Sequence, residues 1–594
     1  MYNRLLALRQ QLRKAELQGF LVPHEDEHQC EYTPARANRL EWLTDFTGSA
    51  GLGVVTLARA ALYVDGRYTL QARTQLDLKH YEILSLHEDK VEDWFLSTLK
   101  QGDRVGYDPW LHTQGFIEQM KRHLATRKIE LLPLEMNPLD AVWDDRPAPD
   151  LHPVKPHKIE FSGEESQDKR ARIAAQLQAD GVEALVISSL DSIAWLLNLR
   201  GNDVANSPLI LSYVILQKSG RAMFFVDPGQ VSDDVRDFLG PKVTIKPYDQ
   251  FTEAVRKLGA GGVKILVDPR KSHAAILDLL HQGGADIQEG DDPCQRLKAC
   301  KNDVELAGMR QAHIRDGVAL CKFLCWLGQA VATEEVTELS AAEKLEDFRR
   351  AQSFYQGPSF DTISGAGAHG AIIHYRASEQ TNRPIGGDML YLVDSGGQYL
   401  DGTTDVTRTI AIGQSTEEQR DRFTRVLKGH ISVARARFPV GRSGAHLDTL
   451  ARRSLWDVGL DYDHGTGHGV GCYLGVHEGP QSISQRGFEV ALEPGMVLSN
   501  EPGFYKPGEY GIRIENLMAV QPSHFEDEER SMNIFETLTF VPIDTRLINA
   551  HMMTSTEITW LNIYHAQVRE KIAPFLEGKE LAWLHRATQS IMAM

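Results

Sequence analysis

The chain has no uninterrupted apolar run of about 18 residues, the length that crosses a bilayer, so no membrane-spanning helix is expected. It also lacks a basic block. Its 64 lysines and arginines face 81 acidic residues, a net charge of −17. A nucleic-acid binder needs a concentrated cationic face, and that class is set aside. Cysteine is scarce: the six residues are scattered, with no C-x-x-C pair. Cys321 and Cys325 share one helical face, but two ligands do not make a structural zinc site. Buried free thiols are expected, as in a reducing compartment. The opening segment MYNRLLALRQQLRKAELQ has no apolar h-region and no cleavage site of a signal peptide. It reads as an amphipathic helix, and a cytoplasmic location is expected.

With 594 residues the chain exceeds a single core. Its 42% apolar and 24% charged residues are ordinary for a globular protein. The first half contains a diverged duplication. Residues 4–23 and 168–188 share a helix–glycine–strand layout, with Gly19 and Gly181 at matching places. ALYVDGRY (61–68) matches AMFFVDPG (222–229), and RVGYDPW (104–110) matches KILVDPR (264–270). Two similar α/β domains are predicted, joined by the proline-rich segment 144–156. The expected boundaries are 1–146, 147–300 and 301–594.

The second half has a different grammar. Helical patterns cover 301–331, 333–352, 415–438 and 443–458, the third opening with a Ser415-x-x-Glu418 capping box. Strand patterns cover 360–364, 389–394, 405–413, 496–502 and 510–520. Helix pair then sheet, twice, predicts a pseudo-symmetric α+β domain with one shared sheet. Residues 541–594 look helical and carry no visible chemistry.

Between two of these elements, DYDHGTGHGVGCYLGVHEGP (461–480) holds three histidines among glycines. His464 and His468 have the spacing of a zinc-binding helix, but the interleaved glycines exclude a helix. Acidic residues stand where strands should not hold them. Asp394 ends a strand, Asp405 opens the next, Glu501 ends MVLSNE, and Glu515 lies inside YGIRIENLMAV. A buried carboxylate is costly unless paired or bound to a cation. Alone, each could be a solvated strand end, and Glu515 could pair with Arg513. Together, four carboxylates and one histidine match the ligand needs of two divalent cations, and oxygen-rich ligation leans to Mn²⁺. Such a pair can clamp a hydroxide and lower the pKa of water towards about 7.

The order Asp-x10-Asp … His … Glu … Glu resembles the pita-bread metallopeptidases. The motifs AIIHYRA, LVDSGGQYLDGTTDVTRT, HGTGHGVGCYLGVHEGP, SNEPGFY and GIRIEN are similar to those of the long, three-domain aminopeptidase P family. So are DEHQCEY, DFTGSAG, DGRYTLQA, NPLDAVWDDRP and LDSIAWLLNLRGNDVANSP in the first half. The resemblance implies two creatinase-like α/β domains before a pita-bread catalytic domain. It implies that Asp405 and Glu515 bridge two metals, Asp394 holds one, and His468 with Glu501 holds the other. His374 and His477 would contact the scissile carbonyl, and His464 would line a proline pocket. Arg513 and Arg67 would bind substrate, and Glu501 would shuttle the proton. The implied reaction is release of the residue before a proline, by attack of a metal-bridging hydroxide, and the implied assembly is a homodimer.

A prolidase and a catalytically dead pita-bread binding protein are the competing readings. The first expects a shorter chain and the second expects lost ligands. Creatinase-like chemistry does not use this metal set. SGAGAHGA (364–371) contains G-x-G-x-x-G, but IIHYR after it reads as strand, where a phosphate-binding helix should begin. His24 and His28, in the acidic segment 23–32, read as part of a solvated or interface loop. His313, His430 and His446 read as structural or surface groups, and Cys472 is given no catalytic role.

Overall fold

The computed structural model describes residues 2–487, 489–525 and 529–592. They group into two compact units: 1–159 with 164–295, and 160–163 with 296–594.

The first unit contains both copies of the duplication. Helix Tyr2–Lys14 buries Leu5, Leu8 and Leu12, the stripe its spacing demands. Helix Ser166–Ala179 buries Ile173, Ala174 and Leu177 in the second copy. The strands that follow, Gly19–Pro23 and Ala184–Ile187, are buried throughout and sit in six-stranded sheets of matching order. In each, the central strand pairs antiparallel with a hairpin strand and parallel with a crossover strand. The matched segments fall at equivalent places: Ala60–Val64 with Ala222–Val226, and Arg104–Tyr107 with Lys264–Val267.

The glycine alignment is corrected. Leu17 N donates to Leu12 O at 2.8 Å, and Val182 N donates to Leu177 O at 2.8 Å. Gly181 (φ 67°) therefore corresponds to Glu16 (φ 55°), the left-handed residue that closes its helix, and not to Gly19. Gly19 begins the strand, where a Cβ would lie 3.0 Å from the Phe95 ring.

The two copies meet through their Asp-Pro loops. Ala275 N donates to Pro109 O (2.9 Å) and Gly115 N to Pro269 O (3.2 Å). Ala274 N donates to His112 O (2.9 Å) and Gln114 N to Ser272 O (3.3 Å). These bonds exchange reciprocally around the Thr113–His273 bridge, as about a local two-fold axis. The segment 23–32 is the interface loop of the two alternatives, half-buried against the second copy. His28 is buried, with Nδ1 3.0 Å from Ser188 O and Nε2 2.9 Å from Tyr248 Oη.

In the second unit, helix Asp303–Ala330 opens with an Asn302–Glu305 capping box and buries Cys321 and Cys325. All six cysteines are free thiols. Helix Glu417–Ala434 buries Phe423, Val426, Leu427 and Ile431, as its stripe predicts. Its capping box, however, is Thr416–Gln419, one residue later than expected. The same S/T-x-x-E/Q pattern fits both registers, and Glu418 is taken by Lys506 Nζ (3.0 Å) and Tyr510 Oη (2.5 Å).

The expected shared sheet is divided. Ile363–Ala366, Met389–Ser395 and Val406–Ile412 form a three-stranded antiparallel sheet. A six-stranded sheet contains Gly467–Gly469, Val497–Asn500 and Asn516–Pro522. The single strand read at 510–520 is two: Tyr510–Arg513 pairs with Gly503–Lys506, and Asn516–Pro522 pairs with Val497–Asn500. The chain changes sheets at Ile514–Glu515. There Glu515 N donates to Thr407 O at 3.2 Å and links the sheets.

Candidate metal centre

The acidic residues lie at strand ends and at this sheet change. Asp394 stands near the end of Met389–Ser395, opposite Thr407. Asp405 directly precedes Val406–Ile412, and Glu501 directly follows Val497–Asn500. Glu515 occupies the break between two strands, not a strand interior. The glycines around His468 permit close strand packing: a Cβ at Gly467 would sit 2.0 Å from Ser499 O, and one at Gly469 2.1 Å from Glu478 O.

The geometry brings all five expected ligands together. Asp405, His468 and Glu515 offer ligand atoms within 4.8 Å of one another. His468 Nε2 lies 3.4 Å from Asp405 Oδ2 and 3.6 Å from Glu501 Oε1. Its Nδ1 lies 3.0 Å from Gly469 O, so the hydrogen-bond pattern assigns the proton there and leaves Nε2 facing the carboxylates. Arg513 Nη2 donates to Asp394 Oδ2 at 2.6 Å.

The electrostatics describe a cluster with too little positive charge. Burial pushes Asp394 up to about 7; Arg513 opposes the rise, while Asp405 and Glu501 add to it. Burial also drives Glu515 well above the carboxylate range, reinforced by Asp405, Glu501 and Asp394. Glu501 is raised by burial against the pull of His468 and Arg513. Burial lowers His468, but the bond to Asp405 and the charge of Glu501 prevail and raise it to about 9. Protons thus occupy places suited to cations. Three buried oxygens, Asp394 Oδ1, Asp405 Oδ1 and Glu515 Oε1, have no hydrogen-bond partner among the described residues. Buried carboxylate oxygens are seldom left so. Four carboxylates and one imidazole nitrogen therefore fit hard or borderline divalent cations.

The other expected residues flank the cluster. The rings of His468 and His477 are 4.3 Å apart and nearly perpendicular. His374 and His477 are nearly parallel at 6.4 Å. His374 lies in a turn after the short helix Gly367–Ala371, not in the strand that IIHYR suggests. His464 Nε2 is 2.8 Å from Tyr505 Oη, which accepts from Arg513 Nη1 at 2.7 Å. Arg513 Nε donates to Thr407 Oγ1 (3.1 Å) and Nη2 also reaches Ile373 O (3.3 Å), so every guanidinium nitrogen is engaged. Arg67 belongs to the first unit, where Asp65 Oδ2 accepts from its Nη2 at 2.6 Å and Glu31 Oε1 lies 3.4 Å from Nη1. Cys472 is buried, with Sγ 3.5 Å from Asp401 O.

Three contributors escaped the sequence reading. Tyr505 sits in the quoted SNEPGFY and links His464 to Arg513. Thr407 Oγ1 donates to Glu515 Oε2 at 2.8 Å. Arg408 is buried and donates to Glu515 O (2.6 Å), Asn516 Oδ1 (2.8 Å), Val541 O (2.8 Å) and Pro542 O (3.0 Å). Both Thr407 and Arg408 lie in DVTRT, next to the expected ligand Asp405, and that adjacency was the available signal.

The family model described as "Metallopeptidase family M24" matches residues 307–522, with its C-terminal region at 531–591. "Creatinase/Prolidase N-terminal domain" models match 4–141 and 145–305. "Xaa-Pro aminopeptidase 1" of Dictyostelium discoideum is 40% identical, over 97% of this chain and 94% of its own. "Aminopeptidase P2" of Arabidopsis thaliana is 39% identical, over 97% and 86%. The chain belongs to the aminopeptidase P family. Within that family, the solved X-prolyl aminopeptidase of Caenorhabditis elegans, described as a cytosolic enzyme with a di-nuclear active site, is 35% identical. It superposes with a TM-score of 0.96 over 99% of both chains. A Bacillus anthracis Xaa-Pro dipeptidase shares the fold over 64% of this aminopeptidase P family chain and 99% of its own, with a TM-score of 0.52 at 24% identity.

Proposed function

We propose that the protein is a dinuclear metallo-aminopeptidase that releases the N-terminal residue from peptides with proline second. The buried five-ligand cluster, with its three unsatisfied carboxylate oxygens, carries this reading. Full-length similarity to proteins named Xaa-Pro aminopeptidase supports it over a prolidase, since the dipeptidase likeness reaches only part of the chain. Retention of all five ligand residues argues against an inactive binding protein.

By family resemblance, Asp405 and Glu515 would hold both cations, Asp394 one, and His468 with Glu501 the other. The oxygen-rich donor set favours Mn²⁺. Divalent cations held there supply Lewis acidity and make water deprotonable near neutral pH. Glu501 accepts a proton from the attacking water and returns it to the leaving proline nitrogen. His477 and His374 donate to the scissile carbonyl oxygen as charge develops on it. His464, braced by Tyr505, faces the proline ring. Arg513 holds Asp394 and Tyr505 in place, and its expected contact with the substrate backbone would share nitrogens already bonded in the protein. The substrate role of Arg67 is carried by the family resemblance alone.

Proline justifies such a site. Its nitrogen has no N–H and its ring fixes φ, so an enzyme that grips the scissile N–H loses its hold. Hydroxide attack at the carbonyl does not use that group.

The domain boundaries 1–146, 147–300 and 301–594 are proposed on the duplicated sheets and the change of sequence grammar. A cytoplasmic location accords with six free thiols, and a homodimer is proposed from the family resemblance. Mn²⁺-loaded protein is expected to release arginine from Arg-Pro-Pro. Cleavage of Gly-Pro alone would instead identify a prolidase, and a protein that takes up no metal would revive the binding role. Light scattering tests the dimer.

A further inference from the structure

The glycine-rich segment 364–371 runs from strand Ile363–Ala366 through the short helix Gly367–Ala371 into the turn that carries His374. What holds that turn is a carboxylate outside every quoted motif. Glu338 is the first residue of helix Glu338–Arg350 and is fully buried. It accepts from Ala366 N (2.8 Å), Tyr375 Oη (2.9 Å) and Arg383 N (3.1 Å), and its Oε1 lies 2.8 Å from His369 Nδ1. All four partners belong to one stretch, residues 366–383. A carboxylate at a helix N-terminus is favoured by the helix dipole, and several donors hold it more firmly than a neutral acceptor.

The tether reaches His374 from one side, because Tyr375 is its neighbour. The His369 ring stacks on Tyr375 at 4.4 Å and stiffens it further. On the other side, Ile373 O accepts from Arg513 Nη2. The loop is pressed against the hairpin bearing Arg513: a Cβ at Gly511 would fall 1.7 Å from Gly370 O, and one at Gly365 2.8 Å from Gly370 N. The GxGxxG glycines thus serve close backbone packing and not a phosphate.

We propose that Glu338 is a positioning residue for His374, acting through Tyr375 and His369 to fix the turn that presents the histidine to the substrate carbonyl. This rests on the role given to His374 above. Misplacing a reacting group by about 1 Å can cost about 10²-fold in rate.

The test uses full-length, metal-loaded protein with Arg-Pro-Pro. Glu338→Gln is expected to keep the metal content and KM and to lower kcat about 10-fold or more. In a His374→Ala background the same substitution should change kcat by less than about 2-fold, because contacts acting through one group are not additive. Tyr375→Phe, a milder change, should show the same non-additivity if Glu338→Gln folds poorly. Hydrogen exchange should quicken at residues 366–375 in both variants, whether or not the peptide is cleaved. Faster exchange without wild-type cleavage would leave the tether standing and sink the peptidase reading. Unchanged exchange, lost metal, or an equal kcat loss in the His374→Ala background would overturn the proposal.

Discussion

Asp405 combines a strand-leading position with a buried carboxylate oxygen that no protein group satisfies. Asp405→Ala is therefore expected to remove metal loading and activity together, as read by elemental analysis and the tripeptide assay. Full activity in this variant would falsify the dinuclear site. His477 lies beside His468 without being assigned a cation, so His477→Ala separates binding from chemistry. Metal content should stay near normal while turnover falls about 10²-fold, the loss typical of a transition-state donor. Loss of metal would mean that His477 is a ligand. The four expected carboxylate ligands were legible as acidic residues set against apolar strands, and His468 through a glycine-rich motif that a family shares. Tyr505 and Glu338 were not. A tyrosine in a turn and a glutamate opening a helix look ordinary until the fold brings their partners to them.

Arg408 works at the scale of whole elements. It ties strand Val406–Ile412 to the carbonyls of Val541 and Pro542 and to Glu515 at the sheet change. Arg408→Lys keeps the charge but loses the planar fork. Several buried carbonyls would lose donors, at a cost on the order of 3 kcal/mol. Calorimetry should show the catalytic unit melting earlier, with weaker metal retention because Glu515 is no longer held. An unaltered melt would mean that water or neighbouring groups satisfy these carbonyls. The strand at 510–520 reads as one element because its apolar pattern continues through the break. Pattern alone cannot reveal that the chain changes sheets at Glu515. The capping register failed for a related reason, since two overlapping boxes fit the sequence and the partners of Glu418 decide between them.

Across the whole molecule, burial lowers six histidines, His157 and His313 among them, and keeps them neutral. Burial holds His112, His273, His430 and His565 down to about 3. In the unfolded chain each takes up a proton near pH 6.5. Their contribution to stability is thus complete above pH 6.5 and lost as pH falls towards 3. Thermal melts should hold level from pH 8 to about 6.5 and drop steadily from there to pH 4, and His565→Gln should flatten that slope for the catalytic unit. A slope equal to that of the parent would show that His565 titrates normally. The duplication, legible from three ordered matches, extends to backbone hydrogen bonds. The exact glycine correspondence was not, because one copy uses Glu16 where the other uses Gly181.

The reciprocal bonds between the two Asp-Pro loops make each copy the other's partner. Two like folds joined by the same four backbone bonds, exchanged about an axis, form a symmetric dimer written into one chain. An isolated first copy, residues 1–146, would expose the groups its sibling now satisfies. It should pair with itself at moderate concentration in sedimentation runs, a homodimer formed once its tether is cut.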